Sequence, residues 1–231
     1  MGGSTERAQA AQTGVENSQV QDDQKMSDQR AQREKVSLQA SSACKPFPFI
    51  VGIGGTLRAG STTERAVLNC LEVSQTLGCR TRLFGGAFLS RLPLFDPKSN
   101  QYTDEQIEFI ESVRTADGFI VGTPSYHGSI SGVIKNALDT LEGTSSDPVP
   151  YFHGRAVGIV VTAHGHQAGG STLAAVRAIV HAMRGWPTPY GAALNTSNEL
   201  FFLDGVCRDP ATQGALAMVA QQVVEFASCR S

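Results

Sequence analysis

Hydrophobic and polar positions follow a repeating order along the chain from Phe47 onward. Each repeat has a short apolar run, a turn rich in glycine or serine, and a segment with apolar residues at helical spacing. The runs predict strands at 49–53, 80–84, 118–122, 157–161 and within 191–196. The first run is apolar on both faces, as in a central parallel strand, whereas 80–84 alternates as a more exposed strand does.

Helices are predicted after the strands. Thr62 or Thr63 can cap the N-terminus of the first helix, and Gly78 closes its C-terminus. Thr103 with Gln106 forms a capping box for the second helix. Further helices are expected over 130–141, 171–183 and 210–227. Strands that alternate with helices predict an α/β fold: a flavodoxin-like, doubly wound, five-stranded parallel sheet in the order 2-1-3-4-5, with helices on both faces.

The first 45 residues differ from the rest of the 231-residue chain. They contain no aromatic residue and no proline, but eight glutamines, six acids and six bases. Such a segment buries too little apolar area to offset the entropy lost on ordering. We therefore expect a disordered polar arm at 1–45 and one compact domain at 46–231. The acids spread through the arm disfavour a transit peptide.

Charge and cysteine content exclude several classes of function. The net charge of −2 gives no broad basic field for nucleic acid, and no apolar stretch approaches the roughly 20 residues of a membrane span. Five cysteines without CxxC spacing support neither a disulfide framework nor a zinc cage. Cys70 and Cys79 stand in apolar settings and are interpreted as packing residues. We expect a cytoplasmic protein without nucleic-acid or membrane partners.

Three unusual loops mark the candidate site. In an open parallel sheet, ligands bind beyond the carboxyl ends of the strands, near the point where the strand order reverses. The loops after the first, third and fourth predicted strands are 54–63, 123–130 and 163–171. We therefore expect them to converge on one ligand.

The first loop combines hydroxyl side chains with Arg58 at the start of a helix. Free amides, the helix dipole and these side chains can surround a phosphate, although a hydroxyl-rich helix cap with a surface arginine would look the same. A dinucleotide fingerprint fails because Leu57 stands where glycine is required. A nucleoside triphosphate loop fails because Ser61 replaces its lysine.

The second and third loops offer features for a planar ligand. Pro124 stiffens the strand exit, Tyr126 presents a flat face, and Gly128 allows close backbone approach. A serine hydrolase elbow would need serine in place of Ile130. In the third loop, His164 and His166 have no carboxylate or cysteine near them in sequence, so we expect no metal site. Gly169 and Gly170 of this loop can either bring backbone amides against the edge of a ligand or form a flexible turn.

These motifs carry a family resemblance over residues 48–196. The segment 123–139, TPSYHGSISGVIKNALD, resembles the flavin-binding segment of the NAD(P)H-dependent FMN reductases. The pattern of Thr56, Arg58, Ser61 and Thr63 is similar to their phosphate loop. The segment 92–96, LPLFD, is similar to another of their loops. The pair Gly169 and Gly170 is similar to the glycines of their third flavin loop.

The resemblance implies an oxidoreductase that transfers a hydride from NADPH or NADH to FMN and passes electrons to free flavin, a quinone, an azo compound or a metal ion. No catalytic side chain is expected, because the flavin carries the chemistry. A homodimer or homotetramer is implied as well. The residues implied in cofactor binding are Thr56, Arg58, Ser61, Thr62, Thr63, Pro124, Ser125, Tyr126, His127, Gly128, Ser129, His164, Gly165, Gly169 and Gly170.

Departures from the family pattern keep other interpretations open. Ser125 replaces an acid, while Thr63 and His127 each replace an asparagine. We hypothesise that His127 alters the acceptor range or tunes the flavin by a hydrogen bond. The alternatives are a flavodoxin-type electron carrier, disfavoured because the domain lacks a strongly acidic balance, and a flavin-free interaction module on the same fold.

Overall fold

The structure is a computed structural model that describes residues 47–99 and 101–229. The predicted arm at 1–45 lies outside the described residues, so its disorder stays a prediction. Among the described residues, no helix combines the length and the apolar character needed to cross a membrane.

The described residues form seven strands and six α-helices. The strands are β1 (Phe49–Gly54), β2 (Arg80–Phe84), β3 (Gly118–Tyr126), β4 (Ser129–Ile130), β5 (Ala156–Ala163), β6 (Trp186–Pro187) and β7 (Ala192–Asn195). The helices are α1 (Thr62–Thr76), α2 (Gly86–Leu89), α3 (Asp104–Thr115), α4 (Gly132–Thr140), α5 (His166–Ala182) and α6 (Pro210–Ser228). A 3₁₀ turn, Leu141–Thr144, follows α4.

The main sheet is parallel and confirms the predicted order. β2 pairs with β1, β1 with β3, and β3 with β5, while β6 and β7 both pair with β5. If β6 and β7 are taken as one interrupted strand, this is the order 2-1-3-4-5. The short β4 folds back antiparallel on the end of β3. The strand order reverses between β1 and β3, whose carboxyl ends carry the first two predicted loops.

The last strand is broken into two pieces. Only its second piece, β7, falls in the predicted window of 191–196, and Trp186–Pro187 adds a first piece further upstream. Pro187 and Pro189 lack the N–H that a ladder requires, which restricts them to a sheet edge. Arg177 donates to the carbonyl of Pro189 at 2.7 Å and so holds the interruption against α5.

Helices cover both faces, with apolar layers on each side. One layer joins α1 and α6 to Ile50, Ile120 and Val160 of the sheet. The other joins α3, α4 and α5 to the opposite side chains of the same strands. Glycine allows the close approach of α1, because a Cβ on Gly122 would lie 2.3 Å from Val67 Cγ2. The helix that begins at the first loop is thereby held directly against the sheet.

Helix ends match the sequence in part. The capping box of Thr103 and Gln106 is confirmed, and Gly78, at φ 87°, closes α1 as expected. The prediction that Thr62 or Thr63 caps α1 is wrong, because Ser61 is the N-cap and its hydroxyl accepts from the Glu64 amide. The predicted start of α5 at 171 is also wrong, since the helix begins five residues earlier at His166.

Candidate functional site

A cavity of about 500 Å³ opens at the carboxyl ends of β1, β3 and β5. We call it the loop cavity. Its lining comes from all three predicted loops, from the end of β5 and from the turn after β7: Thr56, Arg58, Ser61, Thr62, Thr63, Pro124, Ser125, Tyr126, Thr162, Ala163, His164 and Thr196. Topology therefore brings together segments that are far apart in sequence, at the position where an open parallel sheet binds its ligand.

The first loop is held in shape by hydrogen bonds between its own residues. The Thr56 hydroxyl accepts from the amide of Arg58 at 3.2 Å, and the Ser61 hydroxyl accepts from the amide of Glu64 at 3.3 Å. The Glu64 carboxylate accepts from the amide of Gly60 at 3.3 Å and from that of Gly86 at 2.8 Å. Glu64 thus joins this loop to the start of α2, while Arg58 stays exposed at the α1 N-terminus.

Two buried hydroxyls join the start of α1 to the end of β5. The Thr63 and Thr162 side-chain oxygens lie 2.6 Å apart, and the two residues are 2% and 5% exposed. Each hydroxyl satisfies the other inside the wall of the loop cavity. The structure therefore gives Thr63 a supporting contact beneath the loop surface.

The second loop is a tight hairpin. β3 and β4 pair through Ser125 with Ile130 and Tyr126 with Ser129, which leaves His127 and Gly128 as a two-residue turn. Both turn residues have positive φ, 54° and 79°, as a type I′ turn requires. The hairpin turns the chain away from the sheet and leaves Tyr126 56% exposed at the cavity mouth.

Ser125 connects the second loop to α5. Its hydroxyl donates to the carbonyl of Ala168 at 3.0 Å and lies 2.6 Å from the Thr172 hydroxyl. The Ser171 hydroxyl donates to the carbonyl of Gly128 at 3.0 Å. The residue that replaces the family acid therefore fixes the hairpin against the first turns of this helix.

The third loop is shorter than the sequence indicates. His164 and Gly165 remain outside the helix, and Gly165 is its N-cap at φ 119°. Gly169 lies within α5, where a Cβ would be 3.3 Å from the Cβ of Ala193 and 3.7 Å from that of Ala163. Its lack of a side chain serves the packing of the helix on the sheet, and with Gly170 it belongs to α5, not to a loop.

The structure divides the predicted site residues into two groups. Thr56, Arg58, Ser61, Thr62, Thr63, Pro124, Ser125, Tyr126 and His164 line the loop cavity. The lining does not include His127, Gly128, Ser129, Gly165, Gly169 or Gly170, which belong to the hairpin and to the start of α5. Sequence reasoning missed Thr162, Ala163 and Thr196. The position of Thr162 and Ala163 just before His164 was a usable signal, whereas Thr196 had none.

The two cysteines interpreted as packing residues are buried away from this cavity. Burial raises the pKa of the Cys70 thiol far above its ordinary value. Burial also raises the pKa of Cys79, with a smaller contribution from the negative charge of Asp117. A thiol with a raised pKa is a poor nucleophile, in keeping with a packing role.

The loop cavity has the features of a mononucleotide site. In the part of the lining that comes from the first loop, Arg58, hydroxyl side chains and the amides of the α1 N-terminus favour a phosphate. In the part that comes from the second loop, Pro124 and Tyr126 provide apolar and flat surfaces, and the volume lies within the usual range for small-molecule sites. The Glu64 carboxylate accepts from the amides of Gly60 and Gly86, and these bonds hold it against the loop backbone. These residues fit FMN.

Comparison with known proteins also indicates an FMN-dependent family. The family profile described as NADPH-dependent FMN reductase matches residues 48–199. An FMN-dependent NADPH-azoreductase of Staphylococcus aureus is 30% identical over 132 residues, which is 56% of this chain and 66% of the relative. The chain thus spans just under two thirds of that relative's length.

Solved structures support the fold. The flavoenzyme NAD(P)H:(acceptor) oxidoreductase FerB of Paracoccus denitrificans superposes with a TM-score of 0.66 at 17% identity, covering 78% of this chain and 97% of the other. A flavodoxin of Streptococcus pneumoniae gives 0.51 at 12% identity, with 78% and 98% covered. At these identities the likeness concerns the fold alone.

Proposed function

The chain belongs to the NADPH-dependent FMN reductase family, and on that premise we propose that it is an FMN-dependent oxidoreductase that uses NADPH or NADH to reduce a second acceptor. The observation that carries the proposal is the loop cavity itself. Phosphate-binding groups at the α1 N-terminus and a flat rim at Tyr126 belong to one cavity at the reversal of strand order.

FMN held by these residues would supply the redox chemistry, namely hydride acceptance from a nicotinamide and electron delivery to an acceptor. The chain's own residues would bind the cofactor and orient it. Arg58 and the α1 amides would neutralise the phosphate charge, with Ser61 and Thr56 fixing the loop that presents them. Pro124 and Tyr126 would lie along the ring system, and the Ser125 bonds to α5 would keep that hairpin from moving.

The binding and the reaction are tested together on the purified full chain. We expect flavin absorption after FMN is added, and rapid bleaching of that absorption when NADPH is added without oxygen. Arg58→Gln should weaken FMN binding at least about ten-fold, since it removes a charged hydrogen-bond donor. Arg80→Gln, at the opposite end of the parallel strands, is the matched control.

Each competing interpretation gives a different result in this experiment. A flavin that binds but stays oxidised with NADPH and NADH would indicate an electron carrier and contradict the reductase. A chain that takes up no FMN would indicate the flavin-free module.

For the acceptor, we infer a planar aromatic compound such as an azo dye or a quinone. The inference is supported by the azoreductase relative and by the exposed ring of Tyr126 at the cavity mouth. Steady-state rates with an azo dye, a quinone, free FMN and chromate would test it. Faster turnover of chromate than of either aromatic acceptor would contradict the inference.

We also infer that the chain forms a homodimer or homotetramer. Leu94 is 87% exposed next to Phe95, which lines a groove of about 420 Å³ together with Leu138, Tyr151 and Met183. The same groove also carries charged side chains from Lys135, Asp139, Glu142 and Arg184, and an exposed apolar residue beside such a mixed groove suits contact with another protein surface. Light scattering during size-exclusion chromatography measures the mass, and a single monomeric species at micromolar concentration would contradict the inference.

A further inference from the structure

A second cavity, of about 650 Å³, lies beside the loop cavity. Arg58, Thr62 and Thr196 line both cavities, so the two adjoin. Among the described residues, the lining of this second cavity carries three arginines, Arg58, Arg65 and Arg208, and one carboxylate, Glu199. We call it the arginine cavity. Even with Arg58 assigned to the FMN phosphate, Arg65 and Arg208 outweigh Glu199, so the charge of this lining favours an anionic ligand.

The outer wall of this cavity is a hairpin over 200–208. The amide of Phe202 donates to the carbonyl of Val206 at 2.8 Å, and Phe201 bridges to Cys207. Arg65 fixes the hairpin to α1 by donating to the carbonyl of Phe202 at 2.9 Å. The hairpin therefore stands at a fixed position beside the phosphate loop, with Leu203 94% exposed at its tip.

Arg208 is already arranged to meet an anion. Its guanidinium lies 4.1 Å from the centre of the Phe202 ring and 3.2 Å from the Glu199 carboxylate. Glu199 is 81% exposed, and an exposed ion pair of this kind contributes little free energy. A phosphate that enters the cavity can therefore replace Glu199 on Arg208 at small cost, and the stacked guanidinium keeps its orientation.

We propose that the arginine cavity binds the adenosine 2′-phosphate end of NADPH and so selects NADPH over NADH. The proposal rests on the proposed function, because it assigns the donor to that same site. The two donors differ by one phosphate, and arginine is the side chain that accommodates a 2′-phosphate through paired hydrogen bonds. Asn198 and Leu203 offer a polar group and an apolar surface for the attached ribose and adenine.

The test measures binding without turnover. Adenosine 2′,5′-bisphosphate and 5′-AMP are titrated calorimetrically into the full chain with saturating FMN. We expect the bisphosphate to bind at least about ten-fold more tightly than 5′-AMP, since it makes an additional charged contact. Arg208→Gln should remove most of this difference, and Glu199→Gln should increase it. Arg80→Gln, which removes an equal charge outside the cavity, should leave it unchanged.

Arg208 also supports the hairpin, donating to the Phe201 carbonyl at 3.3 Å, so thermal unfolding of each variant is measured as well. If Arg208→Gln unfolds, Glu199→Gln still tests the proposal, because it removes only the negative charge that competes with the phosphate for Arg208. Equal binding of the two probes to the unchanged chain would overturn the proposal. So would a Glu199→Gln chain with unaltered preference.

Kinetics separate this proposal from the proposed function. We expect Arg208→Gln to lower kcat/KM for NADPH about ten-fold more than it lowers kcat/KM for NADH. Bisphosphate binding without reduction of FMN by either donor would contradict the proposed function and leave the site standing. Reduction of FMN equally well by both donors would contradict the site and leave the function standing.

Discussion

At the scale of single residues, the hydroxyl pair of Thr63 and Thr162 is a sharp test of how the cavity wall is held. Either single change to valine leaves one buried hydroxyl without its partner, at a cost of about 1–3 kcal/mol in the free energy of unfolding. The double variant removes both hydroxyls and should be more stable than the sum of the two single losses indicates. Chemical unfolding of the four proteins measures the coupling.

Thr76→Val is the control for this cycle, because Thr76 is exposed at the end of α1 and should change stability by less than about 0.5 kcal/mol. Additive losses from the two single changes would contradict a direct contact. Thr63→Val should also weaken FMN binding less than Arg58→Gln does, since its hydroxyl is engaged beneath the loop.

His127 provides a second test at this scale. A non-glycine residue at φ 54° is strained, and Asn-Gly is a pair that type I′ turns strongly prefer. We expect His127→Asn to stabilise the chain by up to about 0.5 kcal/mol, measured by chemical unfolding. The reduction potential of bound FMN in the same variant tests the hypothesis that the imidazole tunes the flavin. An unchanged potential and acceptor range would contradict that hypothesis and leave the turn prediction intact.

At the scale of elements, the N-terminus of α6 links stability to pH. The pKa of Asp209 is lowered, first by the Thr212 hydroxyl and then by the Thr212 amide, both of which donate to its carboxylate. A group with a lowered pKa in the folded state stabilises the chain above its unfolded pKa, and that contribution is lost as pH falls through the folded pKa.

Asp209→Asn tests this link, because asparagine caps a helix about as well but does not titrate. We expect the unfolding temperature of the variant to change little near neutral pH and to fall less steeply than that of the unchanged chain below about pH 4. Parallel pH profiles of the two proteins would contradict a role for this carboxylate in acid unfolding.

The elements also show which local patterns were sufficient for prediction. Strands β1, β3 and β5 were predictable because both of their faces are buried, so their apolar runs are continuous. The start of α5 was not, because Gly169 and Gly170 have low helix propensity and locally favour a turn. Contacts distant in sequence decide the outcome there: Gly169 packs under Ala163 and Ala193, and Ser125 bonds to the carbonyl of Ala168.

At the scale of the whole molecule, the strand order brings together residues that no sequence motif connects. Arg58 and Tyr126 belong to motifs that the sequence displays, so their convergence followed from the predicted strand order. Thr196 and the 200–208 hairpin reach the same region only because β7 lies beside β5 and α6 packs beside α1. No local sequence pattern therefore predicts the arginine cavity, which is built from α1 and that hairpin.

FMN binding should stabilise the whole described domain, because the loop cavity joins the ends of β1, β3, β5 and β7. A ligand that binds only the folded state adds about 2.7 kcal/mol at a concentration one hundred times its Kd. For a domain of this size we expect Tm to rise by roughly 5–10 °C. Arg58→Gln, with FMN bound about ten-fold more weakly, should show about half of that rise at the same FMN concentration. Equal shifts in the two proteins, measured by calorimetric scanning with and without FMN, would place the phosphate away from Arg58.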